Sequence, residues 1–179
     1  ITFISMKAFT RTGLQAVIFF VMVLLSATGA NAQVERGQKS FGPKVGFVSN
    51  KTSATAGLTF NYAFSRHVRI SPELGVIFRH KNRDGLTADL NVQFPLGFGK
   101  GKGAFYPLVG ANFTSWGRHY TSPEDSKDVT SHTNTLGLNA GAGLEMNCTS
   151  SLRLSLEARY TLMKHYPTAF VTAGIAYVF

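Results

Sequence analysis

Residues 152–163 read LRLSLEARYTLM, and this stretch decides the fold. Every second residue, from Leu152 through Leu154, Leu156, Ala158 and Tyr160 to Leu162, is apolar or aromatic. Those between, Arg153, Ser155, Glu157, Arg159 and Thr161, are charged or hydroxylic. Successive side chains of a strand point to opposite faces, so a strict period of two predicts a β-strand with one oily and one ionic face.

The same alternation recurs on both sides of this stretch, at 41–50, 56–65, 68–79, 86–97, 104–116, 133–146 and 168–179. Turn-forming clusters punctuate it: Ser65-Arg66-His67, Asn82-Arg83-Asp84-Gly85, Gly99-Lys100-Gly101-Lys102-Gly103, Asn147-Cys148-Thr149-Ser150 and His165-Tyr166-Pro167. No stretch after residue 33 keeps a helical period. One face takes every second residue over 45–47, 58–64, 68–78, 86–96, 105–113, 136–146, 152–162 and 171–179. It holds forty positions, all apolar, proline or tyrosine. The intervening positions carry Arg69, Glu73, Asp89, Glu145, Arg153, Glu157 and Arg159 among small and polar residues.

That contrast points to a wall facing lipid. The oily face is unbroken on all eight strands. Its aromatics gather near strand ends, with Tyr62, Phe64, Phe94, Phe105, Tyr177 and Phe179 at one rim and Phe78, Phe113 and Tyr160 near the other, as in the two girdles of a membrane barrel. The four acids and three arginines of the opposite face suit a narrow enclosed interior. Lipid cannot hydrogen-bond an open sheet edge, so such strands must close on themselves. Strands of this length meet the roughly 9–11 residues needed for a tilted span. The fold expected over 41–179 is therefore all-β, an eight-stranded antiparallel up-and-down transmembrane β-barrel, with both ends of the barrel chain on one side. A soluble barrel holding an apolar ligand would show the same alternation turned inside out.

The first 32 residues read as an address. Met6 looks like the initiator. Lys7 and Arg11 precede a ten-residue apolar run, Ala16–Leu25, and Ala30-Asn31-Ala32 forms an A-x-A site before Gln33. This is the pattern of a secretory signal peptide cleaved after Ala32, and the run is half the roughly 20 apolar residues of a spanning helix. Residues 33–40 form a polar lead-in. Cleavage removes two positive charges and takes the formal charge from +9 to +7.

Composition agrees. Of 179 residues, 44% are apolar and 15% charged, too oily for a disordered polyampholyte. The basic excess invites a nucleic-acid partner, but export argues against one. One cysteine, Cys148, rules out an intrachain disulfide and any multi-cysteine zinc site.

The inward charges Arg69, Glu73, Asp89, Glu145, Arg153, Glu157 and Arg159 read as a paired structural network, because buried charges are tolerated only when paired and hydrogen-bonded. A conduction path is the rival reading. Glu145 and Glu157 invite an acid–base reading, but flanking arginines favour ionised carboxylates in salt bridges. Pro72, Pro95 and Pro107 fall within strands, where they cannot donate to the ladder. The weakest strand is 104–116, because Tyr106 and Leu108 fall on the inward face. His80, His119, His132 and His165 map to the loops of one end and His67 to the other, without ligand spacing. No HExxH, GxSxG or phosphate-binding glycine loop occurs. The expectation is no catalytic residue, no cofactor and no metal site.

The longest connection, Gly117–His132, offers Arg118, His119, Tyr120, Glu124, Asp125, Lys127 and Asp128 as candidate surface contacts. With Lys51, Arg79, Lys81, Arg83 and Lys164 in the neighbouring loops, it suits phosphate-bearing lipid.

On these features the chain resembles the small eight-stranded outer-membrane barrels of the OmpA/OmpX type, the outer membrane protein beta-barrel domain families. The resemblance covers about residues 41–179. Its most specific part is the ending Val171–Phe179, where Ile175, Tyr177 and Phe179 resemble the signal read by the barrel assembly machinery. It implies residence in the outer membrane of a Gram-negative bacterium, with lipopolysaccharide among its lipid partners and a monomeric state. It also implies periplasmic termini, periplasmic turns at 65–67, 99–103 and 147–151, and external loops at 51–55, 80–85, 117–132 and 164–167. The expected role is structural or surface-interacting. A lipid-modifying barrel enzyme, a narrow channel and a soluble periplasmic ligand-binding barrel are the alternatives.

Overall fold

The computed structural model describes residues 34–49, 53–80, 83–98, 102–121, 128–163 and 167–179. The proposed signal peptide lies outside them. Alternation becomes nine strands: β1 (Lys39–Val48), β2 (Ser53–Ala63), β3 (Arg69–His80), β4 (Arg83–Gln93), β5 (Leu96–Phe98), β6 (Gly103–Thr121), β7 (Asp128–Asn147), β8 (Leu152–Met163) and β9 (Thr168–Val178). Each pairs antiparallel with its chain neighbour except at β4, where β6 takes over. The pairings β1–β9 and β4–β6 close the ring. β4 and the stub β5 share one place, so the wall has eight strands and no helix among the described residues.

Proline explains the split. The segment 86–97 was expected as one strand, but it breaks at Phe94-Pro95. Proline has no N–H to give the ladder, and the preceding Phe94 N–H reaches the Pro107 carbonyl at 2.9 Å. Pro72 stays within β3, opposite Leu90, and Pro107 within β6, opposite Ala142. Pro43 interrupts the closing seam. The β1–β9 register runs Ser40↔Val178, Phe41↔Tyr177 and resumes at Lys44↔Gly174. Beside it, Gly42 allows the strands to approach, since a Cβ there would overlap the Ile175 carbonyl.

The oily face looks outward. Of the forty positions only Pro107 is buried, while Leu136 is 77% exposed and Leu74 68%. The inside-out soluble barrel is thereby excluded. Inward positions hold the buried polar residues instead.

Both ends of the described barrel meet at one rim, the terminal end. Lys39 and Phe179 exchange backbone hydrogen bonds of 3.1 and 2.9 Å, and Gly37, at φ +83°, turns the chain so that its N–H reaches the Ala63 carbonyl at 2.8 Å. The opposite rim is the loop end, and here the structure corrects the expected boundaries. Residues 117–121 and 128–132, expected as loop, continue β6 and β7, leaving only 122–127 between them. The β6–β7 register runs from Gly103↔Met146 to Thr121↔Asp128 without a shift. A hairpin satisfies each strand's backbone with the other, so polar sequence extends it as a ribbon where no oily face is required. Among the described residues, β8 stops pairing with β7 at Gly137↔Met163 and β4 with β6 at Arg83↔Arg118. The hairpin therefore overhangs the barrel.

Candidate functional site

Inward parity brings eight buried charged side chains of the described residues into the lumen from five strands: Lys44, Arg69, Glu73, Asp89, Glu145, Arg153, Glu157 and Arg159. Lys44 escaped the sequence reading. It lies in phase with Gly46 within the strand expected at 41–50, but the inward set begins only at Gly46. With it the described residues place four cations and four anions in the interior.

They form two layers. In the middle of the barrel, Lys44 Nζ lies 2.9 Å from Glu73 Oε2 and 3.1 Å from Glu157 Oε2, joining β3 to β8 from β1. Arg159 Nη2 lies 3.2 Å from Asp89 Oδ2 and 3.6 Å from Glu73 Oε1, and its Nη1 is 3.8 Å from Glu157 Oε1. Tyr106 donates to Glu157 Oε2 at 3.2 Å, and the Asn112 and Asn139 amides donate to Asp89 Oδ1 at 2.7 and 2.8 Å. Toward the terminal end, Arg69 grips Glu145 with two parallel bonds of 2.8 and 3.1 Å and gives Nε to Gln93 at 2.7 Å. Arg153 approaches the same carboxylate at 3.5 Å. It also donates to Asn147 at 3.1 Å and to Gln38 at 2.8 Å, tying the lead-in segment to the lumen. Arg69 stands over the Tyr106 ring at 5.1 Å, linking the layers.

This arrangement holds strands together. A forked guanidinium on a carboxylate fixes geometry as well as charge. Glu145 is occupied by two arginines, and Glu157 by Lys44, Arg159 and Tyr106, so neither presents a free proton-transfer face. The gap among Lys44, Arg69, Tyr106, Glu145 and Arg153 has a volume of about 20 Å³, room for about one water.

The remaining candidates sit at the rims. Ile175, Tyr177 and Phe179 point outward, 50%, 60% and 61% exposed. Arg118 ends the pairing of β6 with β4, His119 and Tyr120 lie in the overhang beyond it, and Asp128 opens β7. Glu124, Asp125 and Lys127, like Lys51, Lys81, Lys164 and His165, lie outside the described residues. His132 is exposed on β7 opposite Gly117, and His67 sits in the terminal-end turn.

A closed eight-stranded wall, oily outside and ionic inside, has a family counterpart. The model of the outer membrane protein beta-barrel domain matches residues 17–179. The chain belongs to that family. As one of its barrels it resides in the outer membrane of a Gram-negative cell, with its apolar wall in contact with membrane lipid. No curated protein matches it at a significant level. Among solved structures it is similar to the N-terminal β-barrel domain of OprF from Pseudomonas aeruginosa, with a TM-score of 0.63 at 13% identity, covering 82% of this chain and all of that one. Ail, the attachment invasion locus protein of Yersinia pestis, gives 0.59 at 16% identity, covering 80% and 99%. Neisserial surface protein A gives 0.61 at 11% identity, covering 78% and 95%. At these identities the likeness is one of fold.

Proposed function

We propose that this outer-membrane barrel has a surface-interacting and envelope-stabilising role with no catalytic step, and that the overhanging β6–β7 hairpin is its contact element. The overhang carries the reading. Strands that only span the membrane need not run past their neighbours, yet β7 begins at Asp128, nine residues before its first described pairing with β8. The lumen supports it from the other side, since its carboxylates are engaged by cations and leave no room for a solute. In the cell the chain would lose residues 1–32 on export, be recognised through Ile175, Tyr177 and Phe179 by the assembly machinery, and stand as a monomer with periplasmic termini. A closed ring presents no strand edge within the membrane to a second copy.

The partner chemistry follows from charge. Arg118, Lys127 and the lysines and arginines of neighbouring loops suit phosphate or sulfate groups. Ail, a barrel of the same fold, has been crystallised with the heparin analogue sucrose octasulfate. The test is adhesion of cells displaying the full chain to a heparin-coated surface, beside cells whose residues 118–131 are replaced by Asn-Gly. Retention of the full chain alone supports the reading, and equal retention of both overturns it. Lipid A profiles from a deletion strain address the enzymatic alternative, where an altered acyl pattern defeats the non-catalytic role.

A further inference from the structure

The lumen has a third layer unlike the other two. At the loop end, Val48 from β1, Ile77 from β3, Trp116 from β6, Met163 from β8 and Phe170 from β9 form one buried apolar cluster, none more than 8% exposed. These positions point inward, where most of the lumen is polar and the other buried apolar residues, such as Ala104, Leu108 and Val178, lie nearer the terminal end. The cluster also lies at a mouth where water would otherwise stand.

The register makes them a ring. Phe170 pairs with Val48, and Val48 with Ser53. Thr55 pairs with Ile77, Ile77 with Gly85, and Gly85 with Trp116. Gly137 pairs with Met163. Gly137 makes room for Met163, and Gly85 lies at contact distance from two members of the layer. A Cβ at Gly137 would come within 2.7 Å of Met163 Cγ, and one at Gly85 within 3.4 Å of both Ile77 Cδ1 and Trp116 Cε3. The layer rests on the ion pairs, with the Phe170 ring 4.9 Å from the Arg159 guanidinium carbon.

We propose that this apolar stopper, and not the salt-bridge network beneath it, is the barrier that keeps the barrel closed to ions. Ion pairs in a polar lumen can exchange partners with a passing ion, and each carboxylate or guanidinium offers a substitute for lost hydration water. A packed apolar constriction offers none, so an ion there sheds its hydration without replacement and the water column breaks. The stopper also keeps bulk water off Arg159 and its partners.

Planar-bilayer recording on the refolded full chain tests this. Folding is checked by heat-modifiable gel mobility. The Trp116→Ala/Phe170→Ala variant opens the stopper, and Glu73→Gln loosens the network. A second stopper variant, Val48→Thr/Met163→Gln, keeps side-chain volume while making the layer polar, so it reports even where the first fails to fold. The expected result is silence from the parent chain and Glu73→Gln, with at least tenfold more frequent unitary current steps from the stopper variants that fold. Silence from the folded stopper variants, or conductance from Glu73→Gln, overturns the assignment.

Discussion

The two faces of β8 obey different rules. Outward, the exposed parts of Leu154, Leu156, Ala158 and Tyr160 face lipid, an isotropic apolar solvent that adapts to whatever it touches. Inward, Arg153, Glu157 and Arg159 each meet named atoms on other strands, among them Asn147, Lys44, Tyr106 and Asp89. The outer face specifies a medium, whereas the inner face specifies partners. A change of shape should therefore matter inside and hardly outside, and a change of charge should matter on both, for different reasons.

The largest expected effect breaks the inner rule. Glu157→Ala removes the shared acceptor of Lys44 and Tyr106 and leaves buried cations short of a counter-charge. Stripping one partner from a buried pair costs about 3–5 kcal/mol. Equilibrium urea unfolding in lipid vesicles, followed by the emission of Trp116, the chain's single tryptophan, measures it. A loss below about 1 kcal/mol would mean the network relaxes around a missing carboxylate and specifies nothing.

Next comes a charge on the outer face. Leu156 is 54% exposed near the middle of β8, and Leu156→Arg puts a guanidinium among acyl chains. The expected cost is about 2–4 kcal/mol at the bilayer midplane. The same assay reads it. Unchanged stability would show that this face does not lie in the hydrocarbon.

Tyr106→Phe is the gentler inner change. It deletes one hydrogen bond to Glu157 and keeps the ring beneath Arg69. Because Glu157 retains Lys44, the expected loss is about 1.5 kcal/mol, the low end for a hydrogen bond to a charged group. A loss as large as that of Glu157→Ala would make Tyr106 the principal partner and Lys44 a bystander.

The same contrast explains what was legible in the sequence. The lipid face needs only parity, and parity is written locally, so eight wall strands and their outward residues could be read directly. The lumen needs height as well. Which inward residues share a layer depends on the stagger between strands, which no single strand records. The side of Glu145 and Arg69 was therefore readable, but not that they grip each other across the barrel. Lys44 lies inside the strand expected at 41–50 but before Gly46, where the inward set begins. Val48, Ile77, Trp116, Met163 and Phe170 look like scattered exceptions to a polar interior until the register gathers them into one ring. The overhang of β6 and β7 was unreadable for a further reason. Its strands owe their order to each other's backbone, so His119–Thr121 and Asp128–Ser131 carry no oily stripe to announce them.

The smallest expected effect is the sharpest test of the outer rule. Leu156→Phe changes shape and volume at a position whose neighbours are acyl chains, and it preserves apolarity. In a close-packed protein core such overpacking costs about 1–3 kcal/mol. Against a fluid solvent it has nothing to overpack, and the expected change lies within about 0.5 kcal/mol, the ordinary range for a substitution on a solvated surface. Unfolding in the same vesicles decides it. A loss above about 1 kcal/mol would show that the wall around β8 is itself a fitted surface. The nearby outward groove between Pro43, Val45, Leu154, Ala173 and Ile175 would then be the place to look for the specific contact, and the two faces would differ in chemistry alone.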